Sequence, residues 1–238
     1  MRRFYAPRKD FKDNIILLNA EETRHLRNVL RLSAGDEISV FDGEGNEFLC
    51  EIKNIDKKQT SLQIVKKIST NSNESNLDLT LAVAILKGDK FDLVIQKSVE
   101  LGVIKFVPII TKRCDVKLRN EEKKLERWRK IIIEASKQTG RAKLMKITEP
   151  FEFEDFVEDA NGTKILFSER DGKSFSEIKS NKKMTAVIGS EGGWEDSEIE
   201  LAKKNGFQII TFGGRILRAE TAVISIATIL QHRFGDLI

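Results

Sequence analysis

Three short segments hold most of the residues that could do chemistry. Ile165-Leu166-Phe167 runs into Ser168-Glu169-Arg170, Val187-Ile188 into Gly189-Ser190-Glu191-Gly192-Gly193-Trp194, and Thr211-Phe212 into Gly213-Gly214-Arg215-Ile216-Leu217-Arg218-Ala219-Glu220-Thr221. Each is an apolar, strand-like run that ends in small or charged residues. In an open parallel sheet, ligands sit beyond the carboxyl ends of the strands. Glycines there bring backbone N–H and C=O groups close to a flat ligand, and an adenine base, whose edge such groups can read, suits a site of this kind. Gly189, Gly192, Gly193, Gly213 and Gly214 supply close approach, while Leu166, Phe167, Ile216 and Leu217 supply apolar walls. Glu191, Arg215, Arg218 and Glu220 set opposite charges beside those walls. Taken singly, each glycine equally marks a β-to-α turn, and the charges equally make an ion pair at the start of the last helix.

Other chemistries find no support. GxxxxGK[ST], GxGxxG after a strand, GxSxG and HExxH are all absent, which removes the usual phosphate-loop, dinucleotide, nucleophile-elbow and zinc-protease readings. Cys50 and Cys114 form no CxxC pair, and with only His25 and His232 beside them no metal site is expected.

The elements that must position these residues fall into two parts. Residues 15–18, 37–41, 47–55 and 60–68 read as strands, with Asp42-Gly43 and Glu44-Gly45 as a turn and a short helix over 21–31 presenting Leu26, Val29 and Leu30 on one face. A small β-barrel over 1–72 is expected. The polar stretch 70–76 reads as a linker. From 73 to 238 apolar strands alternate with amphipathic helices, the pattern of a parallel α/β sheet. Strands are placed at 77–86, 105–110, 164–167, 185–188 and 208–212, and helices at 89–101, 121–139, 197–205 and 220–231. Ser197 with Glu200 reads as a capping box, and Gly206 as a left-handed carboxyl-terminal residue. In helix 121–139, Leu125, Trp128, Ile132 and Ala135 share a core face, and the last helix is apolar almost all round.

Charge is distributed unevenly. The chain of 238 residues has a net charge of +4, yet residues 112–146 hold thirteen Lys/Arg against five acids and residues 1–31 eight against four. Two basic segments on an otherwise acidic chain suit a polyanionic partner, and equally a solvated helix face. No apolar run is long enough to span a membrane and the amino terminus lacks a signal core, so a cytoplasmic location is expected.

LKGDKFDLVIQKSVELGV (86–103), RWRKIIIEASKQTGR (127–141), IGSEGGW (188–194) and FGGRILRAETA (212–222), with RRFY and HLRNVLRLSAGDEI nearer the amino terminus, resemble the RsmE family over nearly the whole chain. The resemblance implies a SPOUT-class methyltransferase: a PUA-like amino-terminal β-barrel, a trefoil-knotted carboxyl-terminal domain and a homodimer. It implies S-adenosylmethionine as donor and, as substrate, ring N3 of one uridine near the 3′ end of 16S ribosomal RNA in the small subunit. Carried onto this sequence, the donor pocket comprises Leu166, Phe167, Gly189, Glu191, Gly193, Phe212, Gly213, Ile216, Leu217, Arg218, Thr221 and Ala222. Ser190 stands where the family usually has proline, which implies a looser loop.

Methyl transfer needs alignment above all. Arg218 is the candidate to stabilise charge on the base carbonyl oxygens, and Glu220 or Glu191 to accept the N3 proton. Candidate RNA contacts are Arg3, Arg8, Arg24, Arg27, Arg31, Lys87, Lys90, Lys97, Gln138 and Arg141. Two rivals stay open: a related knotted enzyme acting on another RNA, such as transfer-RNA ribose, and a non-enzymatic RNA-binding module.

Overall fold

Alternation of inward and outward side chains organises the first part of the chain. In the computed structural model, which describes residues 2–69, 74–116, 120–170, 172–179 and 182–237, the strands there are β1 (Arg3–Tyr5), β2 (Phe11–Lys12), β3 (Ile15–Leu18), β4 (Glu37–Phe41), β5 (Glu47–Ile55) and β6 (Thr60–Ile68). They pair in the order β1-β4-β5-β6-β3-β2, antiparallel except for β1 against β4. Register shifts at Leu49/Cys50 and Ile52/Asn54 bend the long β5–β6 ladder, as bulges do. The sheet folds over a core of Phe4, Ile16, Leu18, Leu26, Ile38, Val40, Cys50, Ile52 and Leu62, all fully buried. Burial raises the Cys50 thiol pKa to about 12.

The helix expected over 21–31 is shorter and differently wound. Asn19 caps α1 (Ala20–Arg24), its side-chain oxygen accepting from the N–H groups of Glu21 at 3.0 Å and Glu22 at 2.9 Å. A π-turn follows over His25–Val29, with Leu30 N–H bonded to the His25 carbonyl. Leu26 is fully buried but Val29 is 65% exposed, because the extra residue per turn takes position 29 off the face that position 26 occupies.

The remaining elements are β7 (Asp78–Ala84), α2 (Lys90–Glu100), β8 (Lys105–Ile110), α3 (Glu121–Thr139), β9 (Lys146–Ile147), β10 (Phe151–Glu152), α4 (Phe153–Asp159), β11 (Thr163–Ser168), β12 (Lys173–Ser174), β13 (Lys183–Ile188), α5 (Asp196–Lys204), β14 (Gln208–Thr211) and α6 (Ala219–Phe234). All strand pairs are parallel, in the order β10-β8-β7-β13-β11-β14-β12 with β9 beside β8. One sheet face packs Leu166, Val187, Ile209 and Val107 against Phe153 and Phe156 of α4 and Ile199 and Ala202 of α5. Alternate strand residues face the other way, where Phe106 meets Phe91 of α2 with ring centroids 5.7 Å apart, and Phe91 meets Trp128 of α3 at 4.9 Å. Helix α6 packs against α2 and buries Val223, Ile226, Ala227 and Leu230, leaving Ile224 and Ile229 half-buried.

Two details differ from expectation. Helix α4 has no forecast counterpart, since its sequence FEDFVED carries four acids among three apolar residues. The capping box on α5 is Glu195 with Glu198, not Ser197 with Glu200: the helix starts earlier, and the Glu198 carboxylate accepts from the Glu195 N–H at 2.9 Å. Gly206 does take the left-handed conformation, at φ +80°.

The chain divides into two compact units, Met1–Glu74 with Ile133–Leu144, and Ser75–Ile132 with Met145–Ile238. The boundary expected between residues 72 and 73 lies outside the described residues, as does most of the linker, and the carboxyl end of α3 counts with the first unit. Among the described residues no helix is long and apolar enough to cross a membrane.

Candidate active site

Strand β11 lies between β13 and β14. The chain therefore leaves β11 towards one side of the sheet and later returns on the other, which makes the carboxyl ends of these three strands a topological switch point. A cavity of about 690 Å3 opens there, within the range of small-molecule sites. Its walls come from the strand ends at Phe167–Glu169, the loop Ile188–Trp194, the loop Phe212–Arg218, and Ala219, Ala222 and Ile226 of α6.

Of the expected pocket residues, Phe167, Gly189, Glu191, Gly193, Phe212, Gly213, Ile216, Leu217, Arg218 and Ala222 all line this cavity. Leu166 does not. It is fully buried in the core facing α4 and α5, because neighbours in a strand point to opposite faces and Phe167 takes the cavity side. Thr221 is exposed and also stands outside the lining, on another face of α6 from Ala222. Sequence reasoning did not single out Glu169, Trp194 or Ile226 as contributors. Trp194 is buried, donates its indole N–H to the Phe167 carbonyl at 2.8 Å and packs on Phe153 at 5.1 Å, so it locks one cavity wall to the strand end.

The glycines serve different purposes. A Cβ on Gly213 would meet nothing within 4 Å, yet φ there is +81°, a conformation that L side chains resist. A Cβ on Gly189 would stand 3.0 Å from the Trp194 ring, and one on Gly193, at φ +69°, would stand 3.0 Å from a Glu169 carboxylate oxygen. Ser190 ties its loop down: its hydroxyl donates to the Arg113 carbonyl at 3.0 Å and its carbonyl accepts from the Gly193 N–H at 3.0 Å. Proline has no hydroxyl to make the first of these bonds. Arg113 adds a bond to the Gly192 carbonyl at 3.2 Å.

The three catalytic candidates divide. Arg218 lines the cavity as the N-cap of α6 and spends its side chain on no cap bond. Glu191 lines the cavity, and the Lys90 ammonium lies 3.2 Å from its carboxylate. Glu220 does not line the cavity. Its side chain is mostly buried, and its Oε2, 3.5 Å from the same ammonium, accepts no hydrogen bond among the described residues. Lys90 thus joins the two carboxylates, and its ammonium is committed to them rather than open to RNA.

The other expected RNA contacts also sort by environment. Arg8 is exposed, its guanidinium 4.9 Å from the Phe11 ring centroid. Arg24 on α1, Arg27 in the π-turn and Arg31 just after it are exposed, Arg31 at φ +54°. Lys87 pairs with Asp115 at 2.7 Å, and Lys97 with Glu100 at 2.8 Å. Gln138 is exposed. Arg3 and Arg141 are structural instead. Arg3 grips Glu47 at 2.9 and 3.0 Å and donates to the carbonyls of Ser136, Lys137 and Arg141. Arg141 is only 3% exposed and pairs with Glu74 at 2.8 Å, so its charge is met inside the protein, where an unpaired cation would be costly.

A barrel-like unit with a parallel-sheet unit whose cavity sits at a switch point is the frame on which the family comparison places an RNA methyltransferase. Residues 73–231 match the family described as RNA methyltransferase domain and residues 18–65 that described as RNA methyltransferase PUA domain. The chain belongs to the ribosomal RNA small subunit methyltransferase E family. It is 37% identical over 232 residues to the member from Mesomycoplasma hyopneumoniae, covering 96% of this chain and 98% of that one, and 32% identical over 234 residues to the member from Aquifex aeolicus, covering 98% and 100%. Among solved structures it is similar to the Neisseria gonorrhoeae ribosomal RNA small subunit methyltransferase E bound to S-adenosyl methionine, with a TM-score of 0.92, 33% identity and full coverage of both chains. A methyltransferase from Legionella pneumophila with bound cofactor SAM is similar at TM-score 0.93 and 34% identity, over 99% of each chain.

Proposed function

We propose that this protein transfers a methyl group from S-adenosylmethionine to ring N3 of one uridine near the 3′ end of 16S ribosomal RNA, in the small ribosomal subunit. The observation that carries the reading is the cavity at the joined ends of β13, β11 and β14, in a chain whose two matched domains are both those of RNA methyltransferases. The residues fit the cofactor. Phe167, Ile188 and Leu217 offer apolar walls for a flat adenine, and the backbone of the two glycine loops offers donors and acceptors for its edge. Bound there, the cofactor supplies an electrophilic methyl group on a sulfonium.

The protein's own part is alignment and charge. Uridine N3 loses a proton as the new bond forms, and negative charge gathers on the flanking base carbonyl oxygens. Arg218 at the cavity wall, aided by the positive amino-terminal end of α6, stabilises that charge. Glu191 rather than Glu220 accepts the proton, because only Glu191 reaches the cavity, and Lys90 holds its carboxylate in place. Arg8, Arg24, Arg27 and Arg31 contact RNA phosphates, so binding weakens steeply with salt. The trefoil knot, the cytoplasmic location and a homodimer, for which the half-buried Ile224 and Ile229 of α6 offer apolar area, belong to the same proposal.

The test is transfer of labelled methyl from S-adenosylmethionine to small subunits lacking the modification, followed by digestion to nucleosides. N3-methyluridine at a single site is the expected product. A ribose-methylated product, or cofactor binding without transfer to these subunits, overturns the substrate assignment.

A further inference from the structure

A second cavity lies wholly within the amino-terminal unit, at the carboxyl end of α3. It measures about 470 Å3 and is lined by Arg3, His25, Glu134, Lys137, Gln138, Thr139 and Gly140. Its charges are met internally. Arg3 is held by Glu47 and three backbone carbonyls. The Lys137 ammonium bonds both the buried Glu22 carboxylate and, at 2.7 Å, Glu134. A phosphate seated here would find both cations already occupied and three carboxylates close by.

Two lining groups remain without a hydrogen-bond partner among the described residues, and both are uncommitted in a way that suits a base rather than an anion. Gln138 presents an exposed amide, a donor and an acceptor side by side. His25 presents an exposed imidazole whose inner edge is braced by the buried Phe4 ring, with centroids 6.1 Å apart and planes at 65°. His25 also opens the π-turn, a distortion often found at functional sites. Unstacked RNA bases are bound by stacking on flat side chains and by hydrogen bonds to their edges, and a glutamine amide pairs two-fold with the N6/N7 edge of adenine. We propose that this cavity seats one unstacked adenine of the RNA substrate, with Gln138 reading its edge and His25 stacking on its face. The proposal rests on the RNA-substrate reading above and adds the mode of recognition.

The test uses the full-length protein and unmodified small subunits, with binding measured across a series of KCl concentrations. Gln138→Ala and the similarly long Gln138→Met are both expected to bind about tenfold more weakly at every salt concentration, with the slope of log K against log[KCl] unchanged, since a base contact releases no counterions. Cofactor affinity stays at the wild-type value. His25→Phe keeps the affinity and His25→Ala loses it. As the contrast, Arg24→Ala loses affinity together with about one unit of slope. A Gln138 variant that shifts the slope as Arg24→Ala does would make the cavity a phosphate site, and one that binds as well as wild type would remove it from the RNA interface; either result overturns the proposal. Absence of methyl transfer by the wild-type protein is a separate result, and would instead overturn the activity assigned above.

Discussion

The two cavities are built on opposite plans. That of the carboxyl-terminal unit combines three strand ends, two glycine loops and the first turns of a helix, with apolar side chains such as Phe167, Ile188 and Leu217 between them. That of the amino-terminal unit is made of long side chains whose charges cancel one another. At the switch point two cations, Arg215 and Arg218, line the cavity, neither in an ion pair with a carboxylate among the described residues, and the proposed role of Arg218 is to meet charge that develops during reaction. A side-chain site whose cations are already held by internal ion pairs favours recognition by shape and hydrogen-bond pattern over recognition of an anion. On the readings proposed above, catalysis and recognition fall to different kinds of surface.

The sharpest way to break this contrast is Arg218→Ala. We expect kcat for methyl transfer to fall by about 10² to 10³, the range for losing one donor aimed at developing charge, while cofactor affinity in a calorimetric titration stays within a few-fold of wild type. A variant with normal kcat would mean that the cavity aligns reactants without electrostatic help.

Smaller effects test the glycine loops themselves. Gly213→Ala adds a methyl group that touches nothing but must sit at φ +81°, at a cost of about 1–2 kcal/mol. Cofactor affinity is expected to drop by about tenfold, with subunit binding unchanged. Equal affinity would show that the loop reaches its bound form by another backbone path.

In the amino-terminal unit, Glu47→Gln tests whether the ion pairs are structural. Burial alone would raise the Glu47 carboxyl, but the hydrogen bonds from Arg3 and Ser39 and the Arg3 charge outweigh it and hold the carboxyl below its usual value. Because the folded pKa is depressed, the stabilisation is present above the unfolded value near 4.5 and is lost as pH falls through the folded value. Glu47→Gln is therefore expected to cost about 1–2 kcal/mol in urea unfolding at pH 7, with the difference from wild type shrinking towards zero in acid. A pH-independent difference would point to packing instead. The smallest effect concerns Cys50: with its thiol pushed up to about 12 and fully buried, it should resist thiol reagents at pH 8 until the protein unfolds. Rapid labelling of native protein would mean that the barrel-like core opens readily.

How far the sequence could be read followed the range of the interactions. The face of α3 that carries Leu125, Trp128, Ile132 and Ala135 was legible because burial repeats with the helical period, and all four are buried. The strand-end loops were legible because their glycines and charges stand next to one another in the chain. Leu166 was misassigned by a single position, since a run of apolar residues does not say which face each one takes when both faces are buried. Arg141 was misassigned because Glu74, its partner, lies 67 positions away, and a basic residue beside a basic segment reads as surface until that carboxylate is found.

By itself the sequence determined the order and type of the main elements, the family and the residues at three strand ends, since each depends on neighbours within one or two turns of helix or a few residues of strand. The tertiary structure alone decided that β11 stands between β13 and β14, so that those three ends meet in one cavity. It also decided that Lys90 bridges Glu191 and Glu220, and that Arg3, Lys137 and Glu22 neutralise the second cavity from within. Those outcomes depend on pairing and desolvation among residues far apart in the chain, and local periodicity carries no record of distance in space.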